Sequence, residues 1–197
     1  MMRKITLLLI VSFCSVSALA QLSEGERNFA SSYLLASQQY IIDAVSELDE
    51  QAFNWKPADG GWSVANCLEH ILSTEMAFHG MVQGAVSSNE PDNEFNNSMA
   101  DGVLIGNFNN RGTAVRTSEN FEPSGKWNTK TEMLAALEES RSKLVEYLNS
   151  TDHDLRHYKM ALPVATVDAY QIYLLVAAHG QRHTNQMLEV LAEMESM

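Results

Sequence analysis

Apolar residues recur every three or four positions over four long stretches of this chain, the 3.6-residue period of an amphipathic helix, and no segment shows the strict alternation of a half-buried strand. The first stretch covers residues 23 to about 50. Ser23 and Glu26 have the spacing of a capping box, and Phe29, Tyr33, Ala36, Tyr40, Ile41, Ala44, Val45 and Leu48 make its apolar face. It stops before Pro57, where the sequence PADGG predicts a turn. The second helix opens at Ser63, a good N-cap, and reaches about residue 86. The third follows Thr129, which pairs with Glu132 as another capping box. It runs to about residue 149 on Met133, Leu134, Leu137, Leu144, Val145 and Leu148. The fourth starts near Thr166 and extends to Met194 with no proline inside it.

Residues 87–128, between the second and third helices, are rich in Asn, Gly, Ser and Asp. A structureless loop of that length is unusual in a compact domain. The segment is therefore expected to crawl over the other helices, with a short helix near Val103 to Phe108. Four long helices and one long connection predict an all-α fold, a four-helix bundle with a long crossover between the second and third helices. No internal repeat is present, and residues 21–197 are expected to form one domain.

The first twenty residues stand apart. A short basic start, MMRK, leads into the apolar run ITLLLIVSFCSVSALA, and Ala18-Leu19-Ala20 has the small-x-small form of a signal-peptidase site. The run is too short for a comfortable membrane span. Residues 1–20 therefore read as a signal peptide, which predicts export to the periplasm or cell exterior and no stable membrane insertion after cleavage. Cleavage would remove Arg3 and Lys4, taking Lys+Arg from 13 to 11 against 25 acidic residues, a net charge of about −14. A chain so acidic, with no basic cluster, is a poor partner for nucleic acid or an anionic membrane. Only Cys67 would remain, so no internal disulfide could form.

The candidate chemistry lies at AAHGQRHTNQM, residues 177–187. At about 100° per residue, His179 and His183 stand roughly 40° apart on the wheel, and Ile172, Leu175, Val176, Gln186 and Val190 share their side. The two imidazoles thus fall on the core stripe, where a pair at i and i+4 can reach one metal ion. On the second helix His70 shares a face with Ser63, Cys67, Thr74, Ala77 and Met81, while His79 lies roughly 180° away. His153 and His157 fall in a polar connection and read as exposed. The set with a common centre is His70, His179 and His183. Three histidines would leave an open coordination position, the pattern of catalytic rather than structural sites. A His-x-x-x-His pair alone is a weak signal, and buried histidines can equally be satisfied by hydrogen bonds. Cys67, one turn before His70, is a fourth ligand, a reactive thiol or simply a small buried residue. Gln186 is a candidate to orient a ligand imidazole from behind. Glu69 and Glu75 read as solvated or helix-pairing residues. Trp62, directly before the N-cap Ser63, should pack over the second helix. Tyr170 and Tyr173 read as core. No His-Glu-x-x-His is present, which disfavours the zinc proteases built on that motif.

Three blocks carry a family resemblance: WKPADGGWSVANCLEHIL (55–72), NRGTAVRTSENFEPSGKWNTKTEMLAALEESRSKLVEYL (110–148) and HGQRHTNQMLEVL (179–191). In this order, over nearly all of the chain after residue 20, they resemble the DinB-like superfamily, which includes the DinB/YfiT-like metal-dependent hydrolases. The resemblance implies a four-helix bundle with a long crossover and a metal held by one histidine of the second helix and two of the last. Carried over, these are His70, His179 and His183, with nickel or zinc as the divalent metal ion. It also implies an unknown small-molecule substrate and a homodimer. Some relatives are transferases that use low-molecular-weight thiols. Such thiols are cytosolic, and the export expected here sets this chain apart from that activity.

Overall fold

A computed structural model describes residues 21–97, 99–112, 116–162 and 165–197. The expected signal segment, residues 1–20, lies outside them. Helix α1 covers Glu24–Val45, and Ser23 and Glu26 form the predicted capping box. The helix ends earlier than its pattern suggested. Lys130 Nζ takes the carbonyls of Val45 at 3.2 Å, Ser46 at 2.9 Å and Leu48, so a cation satisfies the last turn. Asp49 then caps a separate short helix, α2 (Glu50–Asn54), by accepting from the Ala52 amide at 2.8 Å. The buried stripe of α1 is Ala30, Leu34, Ser37, Ile41 and Val45, about one residue round from the predicted face. Phe29 and Ala36 are exposed. Tyr33 and Tyr40 are half-buried and reach over to α6, donating to Gln181 Oε1 and Asn185 Oδ1 at 2.8 Å each. Aromatic rings with a polar tip marked the edge of the core, not its centre.

Helix α3 covers Val64–Ser88 from the N-cap Ser63, and α4 covers Asp101–Asn109, the short helix expected in the crossover. A 3-10 turn at Glu119–Phe121 follows, and then α5 covers Lys130–Ser150 from Thr129. Two short strands come next, β1 (Lys159–Ala161) and β2 (Thr166–Asp168), paired antiparallel with Met160 opposite Val167. The sequence pattern did not foretell this hairpin, because strands of three residues are too short to show alternation. Asp168 ends β2 and caps α6 (Ala169–Glu195), accepting from the Gln171 amide at 2.7 Å. The fourth helix therefore begins three residues later than expected.

The four long helices are α1, α3, α5 and α6. Both α1 and α3 pack chiefly on α5 and α6, so α1 and α3 sit on one diagonal of the bundle and α5 and α6 on the other, while α3 and α5, joined by the crossover, are neighbours. The crossover helix α4 lies against α6. No described helix is long and apolar enough to cross a membrane.

The apolar core falls into two clusters. One gathers Leu34, Val82, Leu144 and the first half of α6 as far as Ala177. The other gathers Ile41, Leu68, Leu72, Leu137 and, from α6, Met187 and Val190. Between them every long helix contributes polar residues: Ser37, Thr74 and Glu75, Arg141, and His179, His183 and Thr184. A polar layer thus crosses the middle of the bundle. The Arg141 guanidinium is fully buried, its Nε 2.9 Å from Glu75 Oε2, while Nη1 donates to the Leu34 carbonyl and to Ser37 Oγ. Gly180 makes room for it, since a Cβ there would stand 3.1 Å from Arg141 Nη2. Glu75, read from sequence as a solvated or helix-pairing residue, is buried, joins α3 to α5 through Arg141 and accepts from Ser140 Oγ at 2.8 Å.

Candidate metal centre

Helix α3 places His70, and α6 places His179 and His183, facing each other within the polar layer. The stripe spacing puts the α6 pair one turn apart on one face, and the α3–α6 packing supplies the third ring. His70 Nε2 lies 3.2 Å from His179 Nε2, which in turn lies 3.1 Å from His183 Nε2. Among the described residues these three form a group whose ligand atoms all lie within 4.8 Å of one another. Cys67, although buried on the same helix as His70, is not in the group. Burial pushes its thiol up to about 12, so it stays protonated and unreactive. His79 bonds Tyr173 Oη at 3.1 Å on another face, His153 is exposed, and His157 pairs with Asp154 at 2.5 Å, partly buried and not exposed as expected.

The outer nitrogens decide how the inner ones are used. His70 Nδ1 is 2.8 Å from the Phe121 carbonyl oxygen, which can only accept, so Nδ1 carries the proton. Thr74 Oγ1 donates to the His70 carbonyl at 2.8 Å, which leaves its lone pairs toward His179 Nδ1 at 3.5 Å. Gln186 Oε1 lies 2.9 Å from His183 Nδ1. His70 is thus set with Nδ1–H outward and an Nε2 lone pair inward, and the Thr74 and Gln186 oxygens beside the other two Nδ1 atoms suit the same arrangement. Three lone pairs at such short spacing repel unless a cation lies among them, and metal-ligating imidazoles carry this same outward hydrogen bond.

Electrostatics point the same way. Burial, aided by His183 and His70, holds His179 well below the usual imidazole range, although part of its surface is exposed, because the ring is packed deep among protein atoms. Burial and then His70 push His183 down to about 3. Burial also lowers His70, against the raising effect of the Phe121 bond. All three are neutral at pH 7, the form that binds a metal. The donor set and its tautomers fit a divalent cation.

The crossover supplies what sequence inspection missed. Phe121 comes from its 3-10 turn, and Glu69, read as a solvated or helix-pairing residue, is buried and anchors the same segment. Its carboxylate accepts from the amides of Ser124, Gly125 and Lys126 and from Ser124 Oγ, at 2.8 to 3.1 Å. Gly125, at φ 77°, turns successive amides onto one anion. Burial raises the Glu69 carboxyl, but the Lys126, Ser124 and Gly125 amides outweigh it and hold the pKa low. Trp62 lies over the rings, its centroid 4.9 Å from His70 and 6.1 Å from His183. Beside it opens a cleft of about 180 Å³ lined by Trp62, Arg111, Gln186 and Glu189 among others. A larger cleft, about 370 Å³, surrounds Arg156 and contains none of the three histidines. Arg156 is already matched there by Glu26, Asp101 and Asp168.

The DinB superfamily profile matches residues 33–187. The chain belongs to the DinB superfamily. The match spans all three histidines and the whole crossover of this DinB protein. Among solved structures it is similar to YfiT from Bacillus subtilis, at 15% identity over 89% of this chain and 91% of that one, with a TM-score of 0.59. YfiT is described as a probable metal-dependent hydrolase with an unusual four-helix bundle topology. The likeness establishes a shared fold, and the diagonal placement of the first two and of the last two long helices here is a departure from simple up-and-down bundles. No curated protein matches the chain.

Proposed function

We propose that this DinB protein is a metal-dependent enzyme of hydrolase or transferase type. His70, His179 and His183 would hold a divalent ion, nickel or zinc, and the substrate is a small molecule. One observation carries the reading: three neutral imidazoles from two helices aim their Nε2 atoms at one point while their Nδ1 atoms are engaged outside. A bound ion would supply Lewis acidity and lower the pKa of a water or thiol. The protein's part is to hold the rings through Phe121, Thr74 and Gln186 and to cover them with Trp62. The description of YfiT as a probable hydrolase supports the reaction class.

A second reading is a non-catalytic metal brace with a partner-binding role. Three ligands favour the enzyme, since a closed structural site needs a fourth and Cys67 is not placed to provide it. The partly exposed His179 also leaves the centre reachable. We further propose export, on the pattern of residues 1–20, and a homodimer, by family analogy. Export favours water over a cytosolic thiol as nucleophile.

Elemental analysis of the purified protein tests the site. Wild type should carry about one divalent ion per chain and His183→Ala far less; equal content in both would refute it. A screen of hydrolase and thiol-transfer substrates, with and without that metal, then separates enzyme from brace.

A further inference from the structure

Resting on the three-histidine reading, we propose that Arg111 is a positioning residue of the centre. Acting through the Gln186 amide, it holds His183 in the tautomer that turns the Nε2 lone pair inward. Arg111 follows α4 in the crossover, and its Nη1 donates to Gln186 Oε1 at 3.4 Å. The same oxygen lies 2.9 Å from His183 Nδ1. A guanidinium has donors only, so it selects the amide oxygen, not the amide NH2, as the atom facing this corner. An oxygen there obliges His183 Nδ1 to carry the proton. With the amide turned over, NH2 would face the ring, the proton would move to Nε2, and an N–H would point where a lone pair is needed.

Arg111 is itself fixed from two sides. Glu189 accepts from its Nη2 at 2.5 Å and its Nε at 3.3 Å, and Arg182 Nη1 donates to the carbonyl of the preceding Asn110. A solvated ion pair alone would need only Glu189 and would contribute little. The contact with Gln186 ties the pair to the three-histidine centre, so the crossover supports His70 directly through Phe121 and His183 through Gln186.

The test uses nitrogen-15 NMR of the histidine rings in metal-free protein, together with zinc affinity from chelator competition. Metal-free wild type should show His183 with the proton on Nδ1; a proton on Nε2 overturns the proposal without any variant. Arg111→Met should populate the other tautomer and weaken zinc binding about 10- to 100-fold, the usual effect of removing an outer partner. In a Gln186→Leu background the same change should add no further loss. An unchanged tautomer, a zinc Kd within twofold of wild type, or additive losses in the double variant would each overturn it. If wild type binds no zinc, the functional reading fails on its own, and the tautomer of Arg111→Met still decides the role of Arg111.

Discussion

Glu75→Ala should be among the most destabilising single changes outside the three-histidine group. Glu75 and Arg141 form a pair whose side chains are 1% and 0% exposed, midway through the bundle. Burial pushes the Glu75 carboxyl up and the Arg141 guanidinium down, and each charge opposes the other's shift. The 2.9 Å contact is electrostatic and poorly aligned as a hydrogen bond, because Glu75 Oε2 and Arg141 Nε and Nη2 lack hydrogen-bond partners. At an effective dielectric of about 20, charges at this spacing attract by about 6 kcal/mol, a gross figure that the cost of burying both charges opposes. Without Glu75, Arg141 keeps two neutral acceptors, the Leu34 carbonyl and Ser37 Oγ, and its charge is left buried. Breaking one side of such a pair costs about 3–5 kcal/mol. For a domain of this size that lowers the melting temperature by about 6–20 °C. The double change Glu75→Leu with Arg141→Met should recover most of the loss, because two apolar side chains suit the flanking clusters. Urea unfolding of all three proteins reads this directly. A cost below about 1 kcal/mol for Glu75→Ala, or a double variant as unstable as the single, would refute the reasoning.

Other outcomes follow from single residues. Cys67 should resist thiol reagents at pH 8 in the native protein and react once urea unfolds it, because burial holds the thiol near 12. Asp101 is held below the usual carboxylate range, first by the bond from Arg156, so its contribution is present above the unfolded carboxylate pKa and is lost as pH falls through its folded value. Asp101→Asn should therefore narrow the difference in urea midpoint between pH 7 and pH 3. If the metal reading holds, stripping the ion with a chelator should lower the melting temperature, since an ion at 100 times its Kd adds about 2.7 kcal/mol. A melting curve that the chelator leaves in place would count against it.

Much of this molecule was legible before any fold was known. The capping residues Ser23, Ser63 and Thr129 and the 3.6-residue stripes specify four long helices, because caps and amphipathicity act over a few residues. The wheel positions of His179 and His183 likewise follow from helix geometry alone. Polar residues on core stripes escaped notice for one reason. Arg141 sits between Leu137 and Leu144 on the buried face of α5, and Ser37 between Leu34 and Ile41 on that of α1. A stripe drawn from apolar residues passes over such positions. Their spacing was the available signal.

What tertiary structure alone decided is how distant groups meet. Local periodicity cannot say that α1 lies diagonal to α3 and α5 diagonal to α6, which is what sets α3 against α6 and brings His70 to His179 and His183. Nor can it say that the Phe121 carbonyl, 51 residues away in the chain, fixes the proton of His70, or that Arg111 reaches Gln186 across 75. Hydrogen-bond partners at such separations are selected by packing of the whole chain, and that packing sets which ring nitrogens face the centre.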